Sequence, residues 1–227
     1  FQGLDYALCR ADSLGLRVIL PFVNNWDDYG GMNQYVAWSA QTPPASDGFV
    51  TVSGTHFELN GAPYYHVGAN YWYGMNLASQ GPGGDRARLV RELDQLANLR
   101  ITNLRIMAGT EGPDTEPWRM VPSLQVEPGV YNPALLDGLD FLLKELRDRN
   151  LCAVMCLNNF WPWSGGMAQY VSWNGGGAIP YPPPEPGGDW NVYQDYASDF
   201  YSNAGAMQDF RDHIAYLINH VNPYTGL

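Results

Sequence analysis

Apolar and polar positions along the chain alternate between two periods, and the switches between them mark out its elements. Leu4, Leu8 and Ala11, with Ala7 beside them, follow helical spacing, and Gly15 is placed to end that helix. LRVILPFV at 16–23 is a near-continuous apolar run, the mark of a strand buried on both faces. QTPPASDG at 41–48 breaks the pattern with polar residues and paired prolines, and reads as a linker. Beyond it FVTV and HFEL alternate on either side of Ser53, Gly54 and Thr55, which predicts a hairpin, and Asn60-Gly61 supplies a second turn. YYHVGANY at 64–71, ITNLRIM at 101–107 and LCAVMCLN at 151–158 predict strands. Between them, residues 84–98 predict a helix with Asp85 at its N-cap and Leu89, Leu93 and Leu96 on one face. Asn132-Pro133 opens another helix that runs to about Arg149. Residues 159–191, rich in Gly, Pro and Trp and including IPYPPPEPGG, read as a long functional loop. Helical stretches near 192–202 and 204–221 follow, and NPYTGL reads as a closing loop.

Strands that alternate with helices predict a parallel sheet with right-handed crossovers. Long aromatic loops after the strand ends favour a TIM-type barrel, which works at the C-terminal ends of its strands. A doubly wound nucleotide-binding sheet would carry a Gly-rich turn after its first strand, and GANYWYG at 68–74 is not GxGxxG. One element occurs twice: residues 1–38 lie over 136–173 at a constant offset of 135 with 14 identities, so a helix-strand unit is duplicated at the start of the chain. The organisation this predicts is a displaced helix-strand unit at 1–40, a linker at 41–47 and half a barrel at 48–227.

Composition narrows the function. Aromatic residues make up 14%, with 15 Tyr and 8 Trp, against only 15% charged, which fits an aromatic-rich core or a set of flat platforms for a flat, weakly charged ligand such as a sugar. The net charge of −11 gives no basic stripe, which excludes a nucleic-acid groove and disfavours anionic membranes. No apolar run approaches the ~20 residues a membrane helix needs. The opening FQGLDYALCRADSLG is amphipathic and lacks a signal peptide's features, so the first residue reads as the middle of something, after removal of a leader or a cut in the chain. Cys9 falls on the expected inner side of a helix. Cys152 and Cys156, four apart in a strand and so about 13 Å from each other, are too far apart for a disulfide. All three read as small buried hydrophobes.

Arg105 is the only charge within ITNLRIM, and a charge in a buried strand needs a partner. It is either half of a structural ion pair or an arginine that orients a catalytic carboxylate. Trp72 follows the first strand after the linker, with Tyr71 beside it, and Trp161 and Trp163 follow the strand at 151–158; in such positions rings line a barrel mouth. His56, His66, His213 and His220 form no close ligand pair, so no metal or other cofactor is expected. No GxSxG or Cys-His grouping supports a Ser or Cys nucleophile.

Read together, FVTVSGTHFELNGAPYYHVGANYWYGMNLAS, NLRIMAGTEGPDTEPW and GLDFLLKELRDRNLCAVMCLNNFWPWSGGMAQYVSW resemble the endo-β-1,4-mannanases of glycoside hydrolase family 5 over residues 48–227. NNWDDYGGMNQYV in the displaced unit resembles the family's plant and fungal branch. The resemblance implies a (β/α)8 barrel that cuts β-mannan, glucomannan or galactomannan outside the cell by a retaining mechanism with two glutamates. It places the acid/base in an Asn-Glu-Pro motif after the fourth strand and the nucleophile after the seventh. Neither motif occurs in this chain, so no catalytic residue is assigned; Thr115-Glu116-Pro117 lies after the second strand and lacks the Asn. Arg105 matches the family's active-site arginine and Trp161 belongs to the Asn-rich third-strand motif. Tyr71, Trp72, Asn159 and Trp163 carry over as candidate sugar contacts.

Three expectations follow. The chain is part of a secreted mannanase with its glutamates elsewhere, or a half barrel that pairs with a second half or as a homodimer, or a non-catalytic mannan-binding fragment.

Overall fold

Two capping side chains start the two long helices that back the sheet. Asp85 accepts a hydrogen bond from the Arg88 amide, and Asn132 accepts from the amides of Ala134 and Leu135 ahead of Pro133. The computed structural model describes residues 48–227, together with Cys9, Arg10 and Ser13. The chain divides into two compact units, Phe1–Gln41 and Thr42–Leu227. In the first, the Ser13 hydroxyl donates to the Arg10 carbonyl at 2.7 Å. Cys9 is exposed rather than inward-facing, and Cys152 and Cys156 are only part-buried, which corrects the reading of three buried cysteines. A thiol is small enough that its exposure costs little apolar area. The strand expected at 16–23 and the rest of the displaced unit lie outside the described residues.

In the second unit, β1 (Thr51–Ser53), β2 (His56–Leu59) and β3 (Ala62–Pro63) form an antiparallel sheet in that order. Asn60 and Gly61 join β2 to β3 with φ of 54° and 75°, as a tight primed turn requires. The main sheet is parallel, with β5 (Asn103–Met107) between β4 (Gly68–Asn70) and β8 (Cys152–Cys156). Its register sets Asn70 beside Arg105 and Arg105 beside Val154. The strand expected from 64 starts only at Gly68, because the Tyr64 amide is committed to the Phe57 carbonyl of the hairpin.

Helices α1 (Gly74–Ala78) and α2 (Arg86–Asn98) lie between β4 and β5 in the chain. The small β6 (Gln125–Glu127) and β7 (Val130–Tyr131) pair and α3 (Pro133–Asp148) lie between β5 and β8. Leu89, Leu93, Leu104, Ile106, Leu135 and Leu142 are fully buried in one core shared by sheet and helices. Each contributes about 1.5–3 kcal/mol by leaving water. A Cβ on Gly138 would come within 2.6 Å of the Met75 carbonyl oxygen, so glycine permits the close approach of α3 to α1.

Residues 159–191 are more ordered than their Gly and Pro content suggests. They hold a 3-10 turn at Pro162–Ser164 and the helix α4 (Gly166–Val171) before α5 (Trp190–Ser198) and α6 (Ala204–Asn219). Aromatic packing replaces the aliphatic kind here: Tyr170 is edge-on to both Phe200 and Phe210, and Tyr193 is edge-on to Phe160 and Trp190. His220 after α6 lies 2.9 Å from both carboxylate oxygens of Asp140 in α3, and Asn222 donates to the Asp140 carbonyl, which ties the closing loop to α3. Among the described residues, no helix is long and apolar enough to cross a membrane.

Candidate functional site

Arg105 sits at the middle of β5, where its neighbours Leu104 and Ile106 turn into the core and its own side chain turns the other way. The guanidinium is exposed, and it donates from Nη1 to Asn70 Oδ1 at 3.3 Å. The expected buried charge is therefore corrected: the side chain reaches solvent although Asn103 and Met107 on the same face of the strand are buried, and among the described residues no carboxylate pairs with Arg105. Its remaining donors face a cavity of about 480 Å³ that Asn70, Trp72, Trp118, Arg119, Met120 and Trp163 also line.

Three segments build that cavity. Asn70 ends β4, and Trp72 follows two residues later. Trp163 lies in the 3-10 turn after β8, edge-on to Trp72 with centroids 5.1 Å apart. Trp118, Arg119 and Met120 come from the loop after β5, and the Met120 amide donates to the Trp163 carbonyl at 2.7 Å, joining that loop to the one after β8. Three half-exposed or part-buried indoles thus surround two guanidiniums.

The two arginines differ in what they have left to offer. Arg119 spends its donors on the protein: Nε and Nη2 donate to the Tyr181 hydroxyl at 3.0 and 2.7 Å, Nη2 also to Gln169 Oε1 at 2.7 Å, and Nη1 to the Glu111 carbonyl. Tyr181 in turn donates to Glu116 at 2.7 Å, so Glu116 belongs to this bracing network and not to the cavity wall. Arg119 is a strut; Arg105 is available.

Glu111 lies under the same network. It is wholly buried, and burial pushes its carboxyl up to about 8 against the opposing pull of the Gly166 amide and the Arg119 charge. The Gly166 amide donates to Oε2 at 2.8 Å. Tyr170 directs its one hydroxyl proton to Gln125 at 3.0 Å, and its oxygen lies 3.5 Å from Glu111 Oε1, a setting suited to a protonated carboxyl. His213, fully buried on α6 with Nδ1 3.1 Å from the Tyr131 hydroxyl, is pushed by burial down to about 4 and stays neutral.

The residues singled out from the sequence divide by place. Arg105, Trp72 and Trp163 meet in the cavity. Trp161 is half-exposed outside its lining, edge-on to Trp190 at 5.7 Å. Asn159 is buried, its Oδ1 accepting from the Trp161 amide and its carbonyl from the Met167 amide at 3.1 Å, so it shapes the loop that carries both tryptophans. Tyr71 packs on the helix side and donates to Glu92 at 2.7 Å. Sequence reasoning passed over Asn70, Trp118, Arg119 and Met120. Asn70 could have been found as the strand-end neighbour of Arg105; a loop residue such as Arg119 has no periodicity to point it out. Among the described residues, no group of His, Cys, Asp and Glu could hold a metal ion.

The model of the GH family 5 beta-mannosidase-like proteins matches residues 46–227. The chain belongs to that family. Mannan endo-1,4-beta-mannosidase 5 of Solanum lycopersicum is 30% identical over 182 residues, 79% of this chain and 38% of that protein. Mannan endo-1,4-beta-mannosidase 4 of Oryza sativa subsp. japonica is 32% identical over 193 residues, 84% of this chain and 36% of the relative. The crystal structure of a glycoside hydrolase family 5 mannosidase from Rhizomucor miehei superposes with a TM-score of 0.74 at 42% identity, covering 79% of this chain and 45% of that one. A variant of the same enzyme, in complex with mannosyl-fructose, superposes with a TM-score of 0.73. The chain therefore spans less than half the length of these relatives. Its parallel sheet and backing helices are part of a (β/α)8 barrel, and β4, β5 and β8 are barrel strands.

Proposed function

We propose that the cavity binds β-1,4-linked mannosyl units, and that this family 5 chain is the sugar-holding part of a retaining mannan-cleaving glycosidase whose two catalytic glutamates lie outside residues 1–227. The observation that carries this reading is the composition of the cavity wall: three indoles around Arg105 and Asn70. Indole faces suit the C–H faces of a pyranose, and the free guanidinium and amide supply directed hydrogen bonds to its hydroxyls. Retaining hydrolysis needs two carboxyl groups about 5–5.5 Å apart, and none of the lining residues carries one. This cavity holds a sugar and leaves the cleavage to groups from elsewhere. The mannan endo-1,4-beta-mannosidases among the relatives and the mannosyl-fructose complex support that substrate class; action outside the cell is part of the same proposal.

Isothermal titration of the chain with β-1,4-mannotriose tests the reading. Saturable binding that Trp163→Ala weakens, without release of reducing ends, is expected; absence of saturable binding overturns it. The sheet gives this chain a second requirement, for a partner: among the described residues β4 and β8 each pair on one side alone. We propose that a second barrel half, or a second copy of the chain, covers those edges. Sedimentation as a lone monomer at micromolar concentration would sink the self-association form of that idea.

A further inference from the structure

Trp118 has a backbone φ of 58°, a conformation that bulky side chains rarely adopt, and its indole is half-exposed at the cavity. Something must hold it there. Its Nε1 donates to Glu185 Oε2 at 2.9 Å, across 67 residues of sequence. Glu185 belongs to the IPYPPPEPGG stretch, whose prolines preset their own φ angles. The Glu185 amide donates to the Pro182 carbonyl at 3.1 Å, and its carbonyl accepts from the Gly188 amide at 2.9 Å, so the carboxylate stands on a closed turn. On its other side Glu185 lines a second cleft of about 400 Å³ with Pro117, Tyr181 and Asp189. The proline-rich turn thus reaches the sugar cavity through one side-chain contact.

We propose that Glu185 is a positioning residue which fixes Trp118 as a wall of the mannosyl cavity, so that the proline-rich turn helps set the affinity of that cavity for its saccharide. The inference rests on the cavity being a saccharide site. A pinned indole presents its face without the entropy cost of ordering a free side chain, and an unpinned one in a left-handed backbone conformation is free to leave the wall. The neutral amide introduced by Glu185→Gln keeps an oxygen that can accept from the indole, whereas Glu185→Ala leaves no acceptor there.

The test is titration of the full chain with β-1,4-mannotriose in four variants: Glu185→Ala, Glu185→Gln, Trp118→Ala and the Glu185→Ala, Trp118→Ala double. Expected is a loss of about tenfold in affinity for Glu185→Ala and for Trp118→Ala. Glu185→Gln should stay within about twofold of wild type, and the double variant should be no worse than Trp118→Ala, because both changes remove one interaction. Wild-type affinity in Glu185→Ala overturns the proposal, as do additive losses in the double variant or equal losses in the Ala and Gln variants. A wild-type chain that does not bind the trisaccharide overturns the cavity reading and this inference with it, whereas binding untouched by Glu185→Ala overturns this inference alone.

Discussion

The indole of Trp72 stands edge-on to the indole of Trp163, with centroids 5.1 Å apart and planes crossing at 65°. The first follows β4 and the second follows β8, so the pair spans the sheet across the end of β5. Such edge-to-face pairs are worth about 0.5–1.5 kcal/mol beyond the area they bury. Indoles held in fixed, asymmetric surroundings contribute to the near-ultraviolet circular dichroism. Trp163→Ala should reduce that signal, leave the helical content unchanged and weaken mannotriose binding about tenfold. An unchanged near-ultraviolet spectrum would show that the pair does not persist in solution.

Arg105 and Arg119 line one cavity yet should respond to mutation in opposite ways. Arg105→Ala removes an exposed group with one 3.3 Å hydrogen bond, so stability from urea unfolding should shift by less than about 0.5 kcal/mol while saccharide affinity falls. Arg119→Ala strands the Glu111 carbonyl, Gln169 and Tyr181, and should cost about 3 kcal/mol. Comparable losses of stability in both would contradict the division into an available arginine and a strut.

Glu111 makes stability fall as pH rises from 4.5 to about 8. Its folded pKa, raised to about 8, lies above the ordinary 4.5, so its stabilising contribution is complete below 4.5 and is lost as pH rises towards 8. His213 acts with the opposite sign, since a folded value near 4 against 6.5 gives stability that is present above 6.5 and lost as pH falls. Between 4.5 and 6.5 the two oppose each other; between 6.5 and 8 Glu111 acts without that opposition. Urea midpoints should therefore drop from pH 6.5 to 8, and Glu111→Gln, which stays neutral and keeps an acceptor for the Gly166 amide, should flatten the drop. A slope that survives in the Gln variant would assign it to another group.

Gly166 follows Gly165 at the start of α4, with φ of 58° and 89° at the two positions. A Cβ on Gly166 would run into the Asn159 carbonyl. Gly166→Ala should therefore cost about 3 kcal/mol, combining backbone strain with displacement of the loop that bears Trp161 and Trp163. Thermal unfolding measures it, and a change below about 1 kcal/mol in size would mean that the loop yields easily.

The sequence made the sheet and its helices legible because their signals are local. Caps at Asp85 and Asn132 act within three residues, the Asn60-Gly61 turn within two, and the strand at 151–158 is a plain apolar run that the structure places at Cys152–Cys156. The family could be recognised for the same reason. The site was legible in Arg105, a lone charge inside an apolar strand, and in Trp72 and Trp163, which follow strand ends. What stayed hidden depends on contacts made at long range. Arg119 is defined by partners 8, 50 and 62 residues away, and nothing in its neighbourhood foretells them. Glu111 reads as one more surface acid in a Gly-rich loop until Gly166 and Tyr170 close over it. Tyr71 carries the same aromatic signal as Trp72, but the alternation of the chain leaving β4 sends it to the helix side.

A buried neutral acid also alters what kind of ion the protein is. The formal charge of −11 at pH 7 counts Glu111 as an anion, and the native chain holds it protonated, so the folded molecule migrates with one negative charge fewer than its composition prescribes. On unfolding, the carboxyl regains its ordinary acidity and releases close to one proton. In a transverse urea gradient the folded and unfolded bands then differ in charge as well as in drag, and unfolding in a lightly buffered neutral solution acidifies it, less the partial proton uptake at His213.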